Sequence, residues 1–322
     1  MSKLVRSITP DEVASYRNAG VVLLRGVLDL ATVNTMRRCI DDVVANVSDS
    51  ASGYDISAIT RAAESADKDA LKAKDGGQHD VSGIVDYALS TGKSFLYDET
   101  AQAKGSYYID TGIAARLKAF RRITVTGALP EIAGALLESE QVNFFGDQVF
   151  VKEPDTRERT AFHQDATYFD LEGNDCCVFW IPVDPVTLEN GAMMYVRGSH
   201  RDGRLYQPNV FFSQAPLPGA EGDMLPDIEG NMDDYDIVHF DVEPGDIIVH
   251  HYRTIHGTGG NRSRYQVRRA ASIRYCGDDI RFRTRPGAVK QLHHTHNLKD
   301  GDPLSGSDFP VVWRRSRQPA AA

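Results

Sequence analysis

The sequence predicts a mostly β protein: a jelly-roll core buttressed by helices near its N-terminus. Two observations predict it. From about residue 142 to residue 283 the chain runs in short β-rich stretches broken by Gly, Pro, Asn and Asp, among them "VNFFG", "QVFVKEP", "CCVFWIPV", "AMMYVRGS", "YDIVHFDVEPGDIIVHH" and "VRRAASIRY". Strands spaced this closely, with no helices alternating between them, belong to sandwiches and barrels. Ahead of them the helical signals cluster, and helices followed by strands suit a β core with helical flanks.

The elements follow in order. "TPDE" at residues 9–12 reads as a capping box, with Thr9 as N-cap, Pro10 at the first helical position and Glu12 three residues on. A short helix should run to about residue 18. "VVLLRG" at residues 21–26 is an apolar strand. Over residues 29–47 Leu30, Val33, Met36, Ile40, Val43 and Val44 recur at helical spacing. Residues 48–82 are polar and poor in large apolar side chains, and read as an exposed, partly helical excursion. Helices are expected over about 111–121 and 130–139.

Composition bounds the function. At 322 residues and 41% hydrophobic, the chain can bury a sizeable core, and no Pro/Ser/Gly-rich linker divides it. A net charge of −9 argues against nucleic acid as the main partner. The start "MSKLVRSITPDEV" has no apolar leader core, and no run of about 18 apolar residues occurs. A soluble, cytoplasmic protein without a membrane partner is expected. Cys39, Cys176, Cys177 and Cys276 fit a reducing compartment, and the adjacent pair should face opposite sides of a strand.

The chemistry starts from "TAFHQDATYFD". On a strand, His163 and Asp165 share one face and Gln164 points away. One imidazole and one carboxylate leave most of a metal's positions empty. Adding one histidine gives the two-His, one-carboxylate triad of non-haem Fe(II) oxygenases. His256 is the best third ligand, because it sits where a β-run gives way to the loop "GTGGN". His250 or His251, mid-strand after "GDIIV", would line the cavity or support the site. "HHTH" (His293, His294, His296) reads as a surface loop. A 2-oxo acid can chelate such a metal and supply electrons, and its far carboxylate calls for arginine. In "RYQVRRAASIRY", Arg268 and Arg269 point to opposite faces, and alternation alone does not say which enters the barrel. Thr258, two residues past His256, could add a hydroxyl to the same carboxylate.

Five blocks in order, "HQDATYF", Trp180, "ENGAMMYVRGSH", "PGDIIVHHYRTIHGTGGNRS" and "RRAAS", resemble the phytanoyl-CoA dioxygenase family. The resemblance implies a double-stranded β-helix, cupin-like, and the use of Fe(II), 2-oxoglutarate and O₂. It also implies His163, Asp165 and His256 as iron ligands, and Arg268 as the 2-oxoglutarate clamp with Arg269 as the alternative. Gln164, Trp180 and Thr258 match positions lining the co-substrate pocket. Retention of Asp165 favours hydroxylation over halogenation, with release of succinate and CO₂. On this reading the whole chain is one dioxygenase domain. Residues 1–140 would be helical support and lid, 141–285 the jelly-roll core and 286–322 a C-terminal extension.

The substrate is expected to be a small metabolite, and a homo-oligomer is compatible with everything above. Tyr168 and Phe169, just past the metal strand, are candidate substrate contacts. Arg281, with Arg201, Arg204 and Arg283, would line a mouth for an anionic substrate. Residues 48–82 and 205–235 are long enough to act as lids. Two other classes stay open: a jelly-roll hydrolase or isomerase holding Zn or Mn in the same triad, and a non-catalytic binding barrel.

Overall fold

In the computed structural model, which describes residues 4–65 and 81–316, the first helix begins as its sequence dictates. The Glu12 amide donates to Thr9 Oγ1 at 3.2 Å, and the Thr9 amide donates to Glu12 Oε2 at 2.8 Å. Helix α1 (Pro10–Ala19) stops at Gly20, whose φ is +74°. A Cβ there would collide with the His200 ring and the Thr254 hydroxyl, so the turn requires glycine. Strand β1 (Val21–Leu24) follows, then helix α2 (Leu30–Ala45), capped by Asp29. Helix α2 buries Val33, Met36, Ile40 and Val43, four of the six apolar positions read from the sequence.

Strands, numbered in chain order, form two main antiparallel sheets. The larger runs β1, β10 (Ile247–His251), β7 (Cys176–Pro182), β12 (Arg268–Cys276), β4 (Gln141–Lys152), β3 (Tyr107–Thr111) and β2 (Tyr54–Asp55), with β14 (Val311–Arg314) also paired to β4. The smaller runs β5 (Thr160–His163), β11 (His256–Thr258), β8 (Met193–Val196) and β9 (Ile237–His239). Two short strands, β6 (Leu171–Glu172) and β13 (Arg281–Phe282), pair beside them. This is the predicted jelly roll with flanking helices. The larger sheet recruits β1, β2, β3 and β14 from outside residues 141–285, so the strands do not respect that boundary.

The two faces of the larger sheet do different work. Cys177, Phe179 and Ile181 of β7 join Val33, Met36 and Ile40 in the main apolar core. Helices α5 (Ile113–Arg116), α6 (Lys118–Thr124) and α7 (Leu129–Leu137) add Ile113, Phe120 and Ile132 to it. The other face turns Trp180 into a cluster between the two main sheets, with Met193 and Tyr195 of β8, and Cys176 into a separate cluster with Leu171 of β6 and Phe282 of β13. Cys176 and Cys177 thus face opposite ways, and all four cysteines are buried free thiols. The helix expected over 111–121 is broken at Leu117, which is extended at φ −109° and ψ 108°.

The polar excursion departs from expectation. Helix α3 (Ile56–Glu64), capped by Asp55, buries Ile56 and Ile59 against the Val85 side chain of helix α4 (Val81–Ser90) and against Phe150. The inner face of residues 54–64 is therefore wall rather than exposed excursion, although Arg61 and Glu64 stay exposed: two isoleucines at i and i+3 dock a short helix even in a polar segment. Residues 66–80 of that excursion lie outside the described residues. "HHTH" is likewise not a bare surface loop. His294 Nε2 lies 3.1 Å from the Phe145 carbonyl, and its ring packs 4.7 Å from that of Phe309. Among the described residues, no helix is long and apolar enough to cross a membrane.

Met36 is fully buried in the main core. Met36→Ala should cost about 2–5 kcal/mol of stability. Urea unfolding followed by circular dichroism checks it, and a loss under about 1 kcal/mol would place Met36 in a site that collapses easily.

Candidate metal centre

The smaller sheet brings the triad together. Strands β5 and β11 pair so that His163 and His256 are direct cross-strand partners, their rings 4.3 Å apart. β5 ends at His163, but Gln164 keeps extended angles (φ −105°, ψ 142°), so Asp165 stays on the His163 side as it opens a short 3₁₀ turn. Ligand atoms of His163, Asp165 and His256 all lie within 4.8 Å of one another, and all three residues are buried.

The protonation states suit a cation. His163 Nδ1 faces the Ala161 carbonyl at 2.8 Å, and His256 Nδ1 faces the Thr254 carbonyl at 2.8 Å. Each Nδ1 therefore carries the proton, and each Nε2 offers a lone pair. Burial, reinforced by a histidine neighbour, pushes His163 down to about 3 and His256 down to about 4, so both rings are neutral near pH 7. Burial alone would raise the Asp165 pKa, but the positive charge of Arg274 and the neighbouring His250 outweigh it and hold the carboxyl well below the usual range. Two neutral imidazoles and one carboxylate form a donor set that fits a divalent transition metal.

His250, on the facing sheet, stands beside the triad. Its Nε2 is 3.6 Å from Asp165 Oδ2 and its ring 4.4 Å from that of His256. It is the supporting histidine expected after "GDIIV". His251 turns the other way, toward Tyr16 and His200. His200 faces the Arg17 carbonyl, and His239 is exposed.

Register settles the arginine pair. Arg269 turns outward to Asp184 and Asp41, at 2.7 and 2.6 Å. Arg268 turns inward, is 1% exposed and leaves Nε and Nη2 buried without a hydrogen-bond partner. Its guanidinium lies beside the Tyr107 hydroxyl and 5.9 Å from the Trp180 ring centre. The Thr258 hydroxyl is close by, accepting from Lys152 Nζ at 2.8 Å. Burial, then repulsion from Arg268, holds the Lys152 pKa well down. A buried guanidinium with unspent donors is costly unless a ligand completes it.

These groups open into one cavity of about 210 Å³. His163, Asp165, His256, Arg268, Thr258, Trp180, Tyr168 and Phe169 all line it, as the sequence suggested. Two expectations fail. Gln164 does not line it: its Nε2 donates to the Arg204 carbonyl and its Oε1 accepts from the Tyr206 amide, pinning the following segment from the far side of the strand. Arg281 is also elsewhere, donating to the Asp278 and Ile280 carbonyls beside the β6–β13 pair. The remaining arginines of the expected mouth are surface groups, Arg204 on Asp202 and Arg283 on Glu172, while Arg201 does not line the cavity. Of the expected lids, Ile56, Ile59 and residues 209–212 do line it. Sequence reasoning missed Tyr107, Gln148 and Arg274, all cavity-lining. For Arg274 a signal existed: it sits six residues after Arg268, on the same face of one strand.

The model of the family described as Phytanoyl-CoA dioxygenase (PhyH) matches residues 16–270. A probable phytanoyl-CoA dioxygenase of Caenorhabditis elegans is 33% identical over 138 residues, 40% of this chain and 41% of the worm protein, so the match spans under half of that relative's length. Among solved structures, the non-heme alpha ketoglutarate dependent carbocyclase SnoK from nogalamycin biosynthesis has a TM-score of 0.64 at 21% identity, covering 97% of this chain and 100% of its own. The epimerase SnoN from the same biosynthesis has a TM-score of 0.61 at 20% identity, covering 96% and 98%. These two likenesses concern the fold.

The depressed histidines predict a pH dependence for the metal-free protein. From pH 6.5 toward pH 4, the unfolded chain takes up protons at His163 and His256 that the folded chain refuses, so stability should fall as pH falls. Tm should drop across that window, less steeply in His163→Gln, and a flat profile would contradict the assignment.

Proposed function

The chain belongs to the phytanoyl-CoA dioxygenase family, and from that premise we propose that it is an Fe(II)- and 2-oxoglutarate-dependent oxygenase hydroxylating a C–H bond of a small molecule. The observation that supports this most is the orphaned guanidinium of Arg268 beside the His163, Asp165 and His256 triad. A hydrolase or isomerase using the same triad needs no such cation, and a plain binding barrel needs no triad.

When bound, the ferrous ion with 2-oxoglutarate and O₂ supplies the oxidant for the C–H bond and yields succinate and CO₂. The chain's own residues do the rest. His163 and His256 present Nε2, and Asp165 one carboxylate oxygen. Arg268 takes the far carboxylate of 2-oxoglutarate in a charge-assisted pair, with Thr258 and Tyr107 as hydroxyl neighbours. Trp180 packs beside that pair. Tyr168 is fixed by Asn209, whose amide donates to the Tyr168 hydroxyl at 2.9 Å, and its ring supports His163 edge-on at 5.3 Å. The apolar walls exclude water. The buried thiols suit the reducing cytoplasm that we propose as its location.

The solved relatives include a carbocyclase and an epimerase, so the outcome at carbon is itself to be measured. The experiment is succinate release on addition of Fe(II) and 2-oxoglutarate, with a metabolite panel screened for a mass gain of one oxygen. Absence of succinate, coupled or uncoupled, would move the reading to another metalloenzyme class.

His163→Ala and Asp165→Ala should lose iron and keep the fold, by metal analysis and circular dichroism. Arg268→Ala should weaken 2-oxoglutarate binding by about tenfold to a hundredfold with iron retained, read anaerobically from the visible band of the Fe(II)–2-oxoglutarate complex. Arg269→Ala should leave that band unchanged; the reverse pattern would mean the strand register is wrong.

A further inference from the structure

We infer that Arg274, with Gln148, seats an acidic head group of the primary substrate, and that this substrate is an apolar molecule carrying one carboxylate. The inference rests on the oxygenase reading above and specifies what that oxygenase takes.

Arg274 shares the inward face of β12 with Arg268 and Ser272 and is 5% exposed. Its known contacts do not spend it. Nη2 donates to Gln148 Oε1 at 3.1 Å, and Nε is buried with no hydrogen-bond partner. The guanidinium carbon lies 4.5 Å from the Phe169 ring centre, a contact that leaves the in-plane donors free. The carboxylate in range is Asp165, with Oδ1 at 4.0 Å. That carboxylate is already claimed: it belongs to the metal triad, and His163 and His250 approach it at 3.8 and 3.6 Å.

Charge counting points to the missing partner. With the site filled, Asp165 and the dianionic co-substrate balance a divalent ion and one guanidinium, that of Arg268. The second guanidinium is left over, in a place where an uncompensated charge is expensive. Among the described residues no other Lys or Arg lines the cavity, so the deficit is one negative charge, which excludes polyanionic heads. A carboxylate supplies one charge and a planar acceptor pair.

The rest of the cavity sets the body of that molecule. Ile56, Ile59, Val85, Phe150, Phe211 and Phe212 form a continuous apolar wall that reaches His163, whose ring lies 5.4 Å from that of Phe211. An apolar chain or ring system lies there, head at Arg274.

The test is binding, separate from turnover. Decanoic acid and 4-phenylbutyric acid, with their methyl esters and coenzyme A thioesters, are titrated calorimetrically into anaerobic protein holding Fe(II) and 2-oxoglutarate. The acids should bind about tenfold or more tighter than their esters. Arg274→Gln should abolish that preference while changing 2-oxoglutarate affinity by less than about threefold. Arg274→Lys, which keeps the charge, should retain part of it and so separates lost recognition from lost folding.

Equal binding of acid and ester, no binding of either acid to the folded protein, or tighter binding of the thioesters would each overturn the inference. So would a loss of 2-oxoglutarate affinity in Arg274→Gln as large as in Arg268→Ala. Acid-selective binding without succinate release would instead uphold the subsite and remove the oxygenase reading.

Discussion

The cross-strand pairing of His163 with His256 is the contact on which the site depends. It joins two stretches of chain far apart in sequence, and it does so through backbone hydrogen bonds rather than through the side chains themselves. Given that pairing, the two rings must face the same side of the smaller sheet. Asp165 joins them because the chain stays extended through Gln164. A slip of one residue in β11 would turn His256 to the opposite face and leave one ring and one carboxylate, and a slip in β5 would turn His163 and Asp165 away together; either leaves too few donors to hold a divalent ion firmly. The metal site is thus a consequence of register.

The facing sheet answers with the same period of two. On β12, Arg268 and Arg274 turn inward while Arg269 turns out to Asp184 and Asp41. On β10, His250 turns in and His251 turns out. Two acidic residues on the outside therefore help decide which arginine enters, because each guanidinium goes where it is best compensated. Arg269 finds its counter-ions in the protein. The inward pair finds few within the protein, and three of its buried donors have no hydrogen-bond partner.

What was legible in the sequence follows this division between local and non-local causes. The capping box at Thr9, the His163–Asp165 face and the apolar stripe of α2 are local, and each stands as read. His256 was legible because a strand and a glycine loop flank it. The choice between Arg268 and Arg269 was not legible from alternation, which fixes relative but not absolute facing, and only the family resemblance favoured Arg268. Gln164 and Arg281 failed for a related reason: matching a motif position or a run of arginines says nothing about what packs on the other side. Helix α3 was the largest surprise. It lies in a stretch that is polar overall, yet Ile56 and Ile59 wall the cavity, and the docking of that helix onto β4 and α4 makes them a wall. Its role is written in tertiary contacts, which one sequence does not display.

This arrangement also explains why the interior tolerates groups that a merely stable core would avoid. Arg268, Arg274 and Lys152 are all buried, and the two arginines keep orphaned donors there. Well-packed hydrocarbon would be at least as stable at such positions. Their retention makes sense if the resting fold is incomplete: anions and a cation that enter the cavity satisfy donors which the chain leaves unsatisfied, and the same charges that weaken the empty barrel fix where each ligand must lie. Specificity and stability are then opposed within one strand, β12, whose outward arginine is paired with carboxylates and whose inward arginines keep unpaired donors.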